Sequence, residues 1–103
     1  MKKFKTTLKR PFAEALKTKI DIVIVDNESE DDDDKLLLAN LAEISHKLYT
    51  KLGDPRKEFT ISFTPAHAIA IRLFYTGWFD SAAIDYTTNR LRQIADGIHQ
   101  QYQ

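Results

Sequence analysis

The stretch "KIDIVIVDN", residues 19–27, decides the fold. In an extended chain Ile20, Ile22 and Ile24 share one face while Val23 and Val25 share the other. The run is β-branched almost throughout and apolar on both faces, the pattern of a strand covered on both sides. It is therefore expected to be the central strand of a small sheet.

Two elements are expected before it. Phe4, Thr6 and Leu8 interleave with lysines, which suits a half-buried edge strand over 3–9 whose charges discourage further pairing. The same segment also carries a four-residue recurrence, Phe4, Leu8, Phe12 and Leu16, which is the spacing of an amphipathic helix. Pro11 arbitrates. Inside a helix it costs about 3 kcal/mol, whereas it fits the first helical turn. The expectation is a strand followed by a short helix over "PFAEALK".

After it comes an acid run, "DNESEDDDD", with seven acids in the nine positions 26–34. A helix over 34–52 follows, with Leu37, Leu41, Ile44, Leu48 and Leu52 along one stripe. Glu43 and Lys47 stand opposite, in the favourable acid-before-base order. Gly53 is expected to supply a left-handed cap, and Pro55 prevents the helix from resuming. Phe59, Ile61 and Phe63 alternate with polar residues and read as a strand with one dry face. Thr64 and Pro65 open a helix over 65–76 that is apolar nearly all round, broken by His67 and Arg72. Gly77 is expected to end it. A last helix over 80–101 has Asp80 as its cap and Phe79 stapled onto Ile84. Its buried stripe is Ile84, Thr87, Leu91, Ile94, Ile98 and Tyr102. Gly97 within it marks close packing or a frayed end.

The resulting fold class is α+β. A small, about three-stranded and mostly antiparallel sheet is packed by three main helices, 34–52, 65–76 and 80–101, in a single domain over 1–103. A chain of 103 residues, 43% hydrophobic and 29% charged, has the composition of an ordinary globular domain.

Zero net charge conceals a segregation. Residues 1–19 sum to +6, residues 20–34 to −8, and the remainder to +2. The basic N-terminal segment 1–19 and the acidic loop 26–34 either serve two partners or neutralise each other. The chain has no cysteine, which rules out disulfides, thiolate zinc sites and cysteine nucleophiles. No apolar run approaches a membrane span, and a charged start without an apolar successor is not a signal peptide. A cytoplasmic protein is expected, or a virion component.

The acid run fails as a calcium loop. Counted from Asp26, its sixth position is Asp31 where a glycine is needed, and its twelfth is Leu37 where a glutamate is needed. A solvated loop leading into a helix, with Asp33 or Asp34 as cap, needs fewer assumptions. The candidate acidic contact for a basic partner is Glu28, Glu30, Asp31, Asp32, Asp33 and Asp34. His46, His67 and His99 stand on different helices with no metal-binding spacing. Three glycines cannot write a phosphate loop, and no serine stands in a nucleophile turn. No catalytic residue, cofactor, metal or small-molecule ligand is expected.

Two further candidates remain. Phe74, Tyr75, Trp78 and Phe79 crowd one turn between helices and form the candidate protein interface, because one small domain has difficulty burying them all. Lys2, Lys3, Lys5, Lys9 and Arg10 are the candidate nucleic-acid contacts, expected to be weak and nonspecific in the absence of a base-reading motif. The expected function is that of a noncatalytic interaction or structural accessory protein. Its partner would be itself or a larger assembly, such as a phage virion or a mobile-element complex. The alternatives are a small nucleic-acid-binding accessory protein and an inhibitor presenting the acidic loop to a protein target.

Overall fold

The computed structural model describes residues 2–26, 31–78 and 85–102. In chain order these form β1 (Phe4–Lys9), α1 (Arg10–Asp26), α2 (Asp32–Leu52), β2 (Glu58–Phe63), α3 (Pro65–Trp78) and α4 (Tyr86–Gln101). The architecture is α+β, with four helices around a two-stranded antiparallel sheet.

The third strand expected over 19–27 is absent, because those residues continue α1 as far as Asp26. The four-residue recurrence that begins at Phe4 persists through the run, so Phe12, Ala13, Leu16 and Ile20 are buried on one helical stripe. Ile22 and Val25, which a strand would have covered, are 53% and 78% exposed. Helix propensity opposes this only weakly, by at most about 0.7 kcal/mol for each β-branched residue. Fully burying a side chain such as Leu16 or Ile20 returns about 1.5–3 kcal/mol. Polar contacts fix the same register. Lys17 pairs with Asp21 at 2.6 Å one turn on, and Asp21 also accepts a 2.5 Å hydrogen bond from Ser45 Oγ on α2.

The sheet pairs Phe4 with Phe63, Thr6 with Ile61 and Leu8 with Phe59. Leu8, Phe59, Ile61 and Phe63 are buried, while Lys5, Thr7, Lys9, Glu58 and Thr60 face outward and are exposed. Both edges are occupied by helix side chains. Arg90 of α4 donates to the Thr7 carbonyl at 2.8 Å, and Lys47 of α2 donates to the Ser62 carbonyl. Beneath the sheet lies one core in which Phe12, Phe63 and Phe74 are each about 1% exposed.

The helix ends differ in detail from expectation. Asp31, rather than Asp33 or Asp34, caps α2 by accepting from the Asp33 amide at 2.8 Å. Gly53 is right-handed at φ −67° and ψ −21°, so the left-handed cap is not formed. Arg10 holds the chain on either side of Gly53: its guanidinium takes the Leu52 carbonyl at 2.7 Å and the Asp54 carbonyl at 2.6 Å. The carbonyls that a left-handed glycine cap would satisfy are still filled from the backbone, the Gly53 amide donating to Tyr49 at 3.2 Å and Thr50 at 3.3 Å. Thr64 caps α3 as expected, accepting from the His67 amide at 3.2 Å. α3 passes through Gly77 to Trp78 rather than stopping at 76. Asp80, Phe79 and Ile84 lie outside the described residues, and the described part of α4 is capped by Asp85, which accepts from the Thr88 amide at 2.7 Å. α4 packs closely on β1 at Gly97, where an added Cβ would stand 3.4 Å from the Phe4 ring, in ordinary contact that leaves room for a methyl group.

Candidate interaction surfaces

α3 lies antiparallel along α2: His67 meets Glu43 near one end, and Leu73 lines the same groove as Leu36 at the other. Between them runs a groove of about 400 Å³ lined by Asp33, Leu36, Leu37, Asn40, Ala66, Ile69, Ala70 and Leu73. It is apolar because α3 is apolar nearly all round, and one side of a helix can face the core while the rest needs another cover. Ala68, Ala70, Ile71 and Phe74 are buried inward. Ile69 and Leu73 remain 41% and 49% exposed, and Leu36 across the groove is 65% exposed. The first turn of α2 sets Asp32, Asp33 and Asp34 at one end of the groove, all of them exposed.

The aromatic patch does not stand out as a surface. Phe74 is 1% exposed and belongs to the core. Tyr75 and Trp78 are half-buried against that core, and the Tyr75 hydroxyl accepts from Arg92 Nε at 3.1 Å. Phe79 lies outside the described residues. The exposed apolar surface of α3 is instead its aliphatic flank, Ile69 and Leu73. Its signal in the sequence was the lack of any polar face on the helix, but which side went uncovered depends on where α2 packs.

The acid run is divided. Asp31 is used as a cap, Asp32 to Asp34 are exposed in the first turn of α2, and Glu28 and Glu30 lie outside the described residues. Among the described residues no cluster of His, Cys, Asp and Glu is placed to hold a metal ion.

The basic segment is divided as well. Arg10 is committed to the end of α2 and also approaches Glu14 at 3.6 Å, which removes it from the nucleic-acid candidates. Lys2, Lys3, Lys5 and Lys9 are exposed, with the Lys2 carbonyl held by the Tyr102 hydroxyl at 2.6 Å. α2 contributes two lysines that the sequence reading did not include, Lys47 and Lys51. Lys47 reaches over the Phe63 ring, 5.7 Å from its centroid. Burial first, then repulsion from Lys3 and Lys51, holds the Lys47 pKa below its ordinary value. Asp31 to Asp34 and Lys51 sit at opposite ends of α2. From Asp33 to Lys51 the helix rises about 27 Å, well beyond a Debye length of about 8 Å. Those acids therefore do not neutralise Lys51.

One contact joins residues far apart in sequence. His67 Nε2 donates to Glu43 Oε2 at 2.5 Å, a pairing across two helices that no local spacing announces. Ser62 Oγ and His67 Nδ1 are both buried without a hydrogen-bond partner, so they are not joined to each other. No described helix is long and apolar enough to cross a membrane. Compared with known proteins, the chain matches no family model, no curated protein and no solved structure.

Proposed function

We propose that this protein is a noncatalytic interaction domain that docks the helix of a partner protein in the α2–α3 groove. The observation that carries this reading is the convergence of Leu36, Ile69 and Leu73 on one groove, each at least two-fifths exposed. Isolated exposed aliphatics are ordinary, but several around a single concavity mark an interaction site. A cleft between two helices accepts an amphipathic helix with apolar anchors one turn apart. Asp33 in the lining, with Asp32 and Asp34 beside it, favours a partner helix whose flanks are basic.

The experiment uses synthetic amphipathic helices with one apolar face and either lysine or glutamate flanks. Binding to the protein is followed by fluorescence anisotropy, and light scattering reports self-association. The lysine-flanked helix is expected to bind and the glutamate-flanked helix is not. Leu36→Ser with Leu73→Ser should abolish binding while leaving the thermal melt nearly unchanged. Failure of every helix to bind, or binding that survives the double substitution, would overturn the reading. A wild type that dimerises through this groove would replace the partner helix by a second copy.

A further inference from the structure

We infer that the outward face of the sheet, together with the α2 lysines beside it, binds the phosphate backbone of duplex nucleic acid without reading its sequence. Lys5 and Lys9 project from β1, Lys3 stands just before it, Lys47 reaches β2 from α2, and Lys51 stands one helical turn beyond Lys47. Glu58, opposite Lys9, is the one acid on the two strands. Thr7 and Thr60 meet between the lysine rows, their hydroxyl oxygens 3.5 Å apart, and can donate to phosphate oxygens as hydroxyls commonly do at such interfaces.

The depressed pKa of Lys47 supports this arrangement, since part of it comes from Lys3 and Lys51, like charges brought close together. An anion is the ligand that relieves that repulsion. Three features favour a duplex over other polyanions. The exposed outward side chains of the two strands are Lys, Thr and Glu, with no apolar wedge to enter a bilayer. None is aromatic, so there is no platform on which unpaired bases would stack. Lys5 and Lys9 lie about 13 Å apart along β1, a length of duplex carrying about eight phosphates. Each lysine therefore finds a phosphate in any register, and that makes the binding indifferent to sequence.

The test is anisotropy with two labelled duplexes of unrelated sequence, titrated over a range of salt. Vesicles rich in phosphatidylserine form a second arm. Both duplexes should bind alike, and the logarithm of affinity should fall against the logarithm of salt with a slope of about −0.9 for each phosphate neutralised. The triple variant Lys5→Ser, Lys9→Ser and Lys51→Ser should lose at least tenfold in affinity and flatten that slope. The same three positions changed to Arg should retain binding, which separates loss of charge from loss of fold. Leu36→Ser with Leu73→Ser should bind the duplexes as wild type does, since the groove is a different surface. Absence of duplex binding at low salt, an unchanged slope in the triple variant, or binding to the vesicles alone would overturn the inference.

Discussion

Arg10 and Leu52, 42 positions apart, are joined by a 2.7 Å hydrogen bond from the guanidinium to the Leu52 carbonyl. The first residue of α1 thus finishes the last turn of α2, and a second bond, 2.6 Å to the Asp54 carbonyl, carries the clamp into the following turn. Hydrogen bonds to a charged donor are worth about 1.5–3 kcal/mol when partly shielded. Arg10→Ala should lower stability by about that amount in urea melts. Arg10→Lys should recover little of it, because one ammonium cannot reproduce the planar fork across both carbonyls.

Gly97 and Phe4 allow a prediction whose sign depends on size. A methyl group at position 97 would meet the Phe4 ring at 3.4 Å, which is ordinary contact. Gly97→Ala should therefore raise the melting temperature, since alanine is favoured in a helix by up to about 1 kcal/mol. Gly97→Leu should lower it, because the larger side chain must displace the ring that pairs β1 with α4.

Acid sensitivity should trace to Asp21. Burial, the largest influence, raises its pKa, but hydrogen bonds from Lys17 and Ser45, with the Lys17 charge, outweigh it and leave the pKa below 3.8. The folded-state value lies under the unfolded one, so this contribution is complete above 3.8 and is lost as pH falls through the folded value. Asp85, lowered by the Thr88 amide, acts with the same sign. Asp21→Asn should flatten the low-pH limb of the stability curve and leave its shape above neutrality unchanged, as read by thermal melts across pH.

The acid run separates into one structural residue and a remainder. Asp31→Ala should cost about 1 kcal/mol through the lost cap. Changing Asp32, Asp33 and Asp34 to Asn should alter stability little, because relief of mutual repulsion offsets the lost interaction with the helix dipole. Calcium at millimolar concentration should move neither melt. A calcium-dependent rise that vanishes in the triple variant would reveal a metal site.

How far the sequence could be read depended on the range of the signals. α2, β2 and the start of α3 were legible because periodicity, Thr64 and Pro65 are local. α1 was not, since a β-branched run imitates a strand and only its packing on α2, through Asp21 and Ser45, decides for helix. The same distinction supplies a test. Ile22→Ala should slightly stabilise the protein, because an exposed β-branched residue is being replaced by a better helix former. In a central strand that change would have cost 2 kcal/mol or more by emptying a packed position. The surfaces followed the same rule. Lys2, Lys3, Lys5 and Lys9 were visible as a charge run, whereas Lys47, Lys51 and the Leu36–Leu73 groove exist only once the helices are placed.

The side chains of Arg90 and Lys47 lying across the sheet's two edges have a consequence for crowded conditions. A ribbon of two strands is the arrangement most open to lateral recruitment, since each strand has a neighbour on one side only. Here the outward carbonyls of Thr7 and Ser62 are already taken, and any incoming strand must first displace a cation from each. Fibril growth by strand addition is thereby obstructed on both flanks. Removing these two side chains together, with Arg90→Ala and Lys47→Ala, should shorten the lag of aggregation in thioflavin assays more than it lowers the melting temperature.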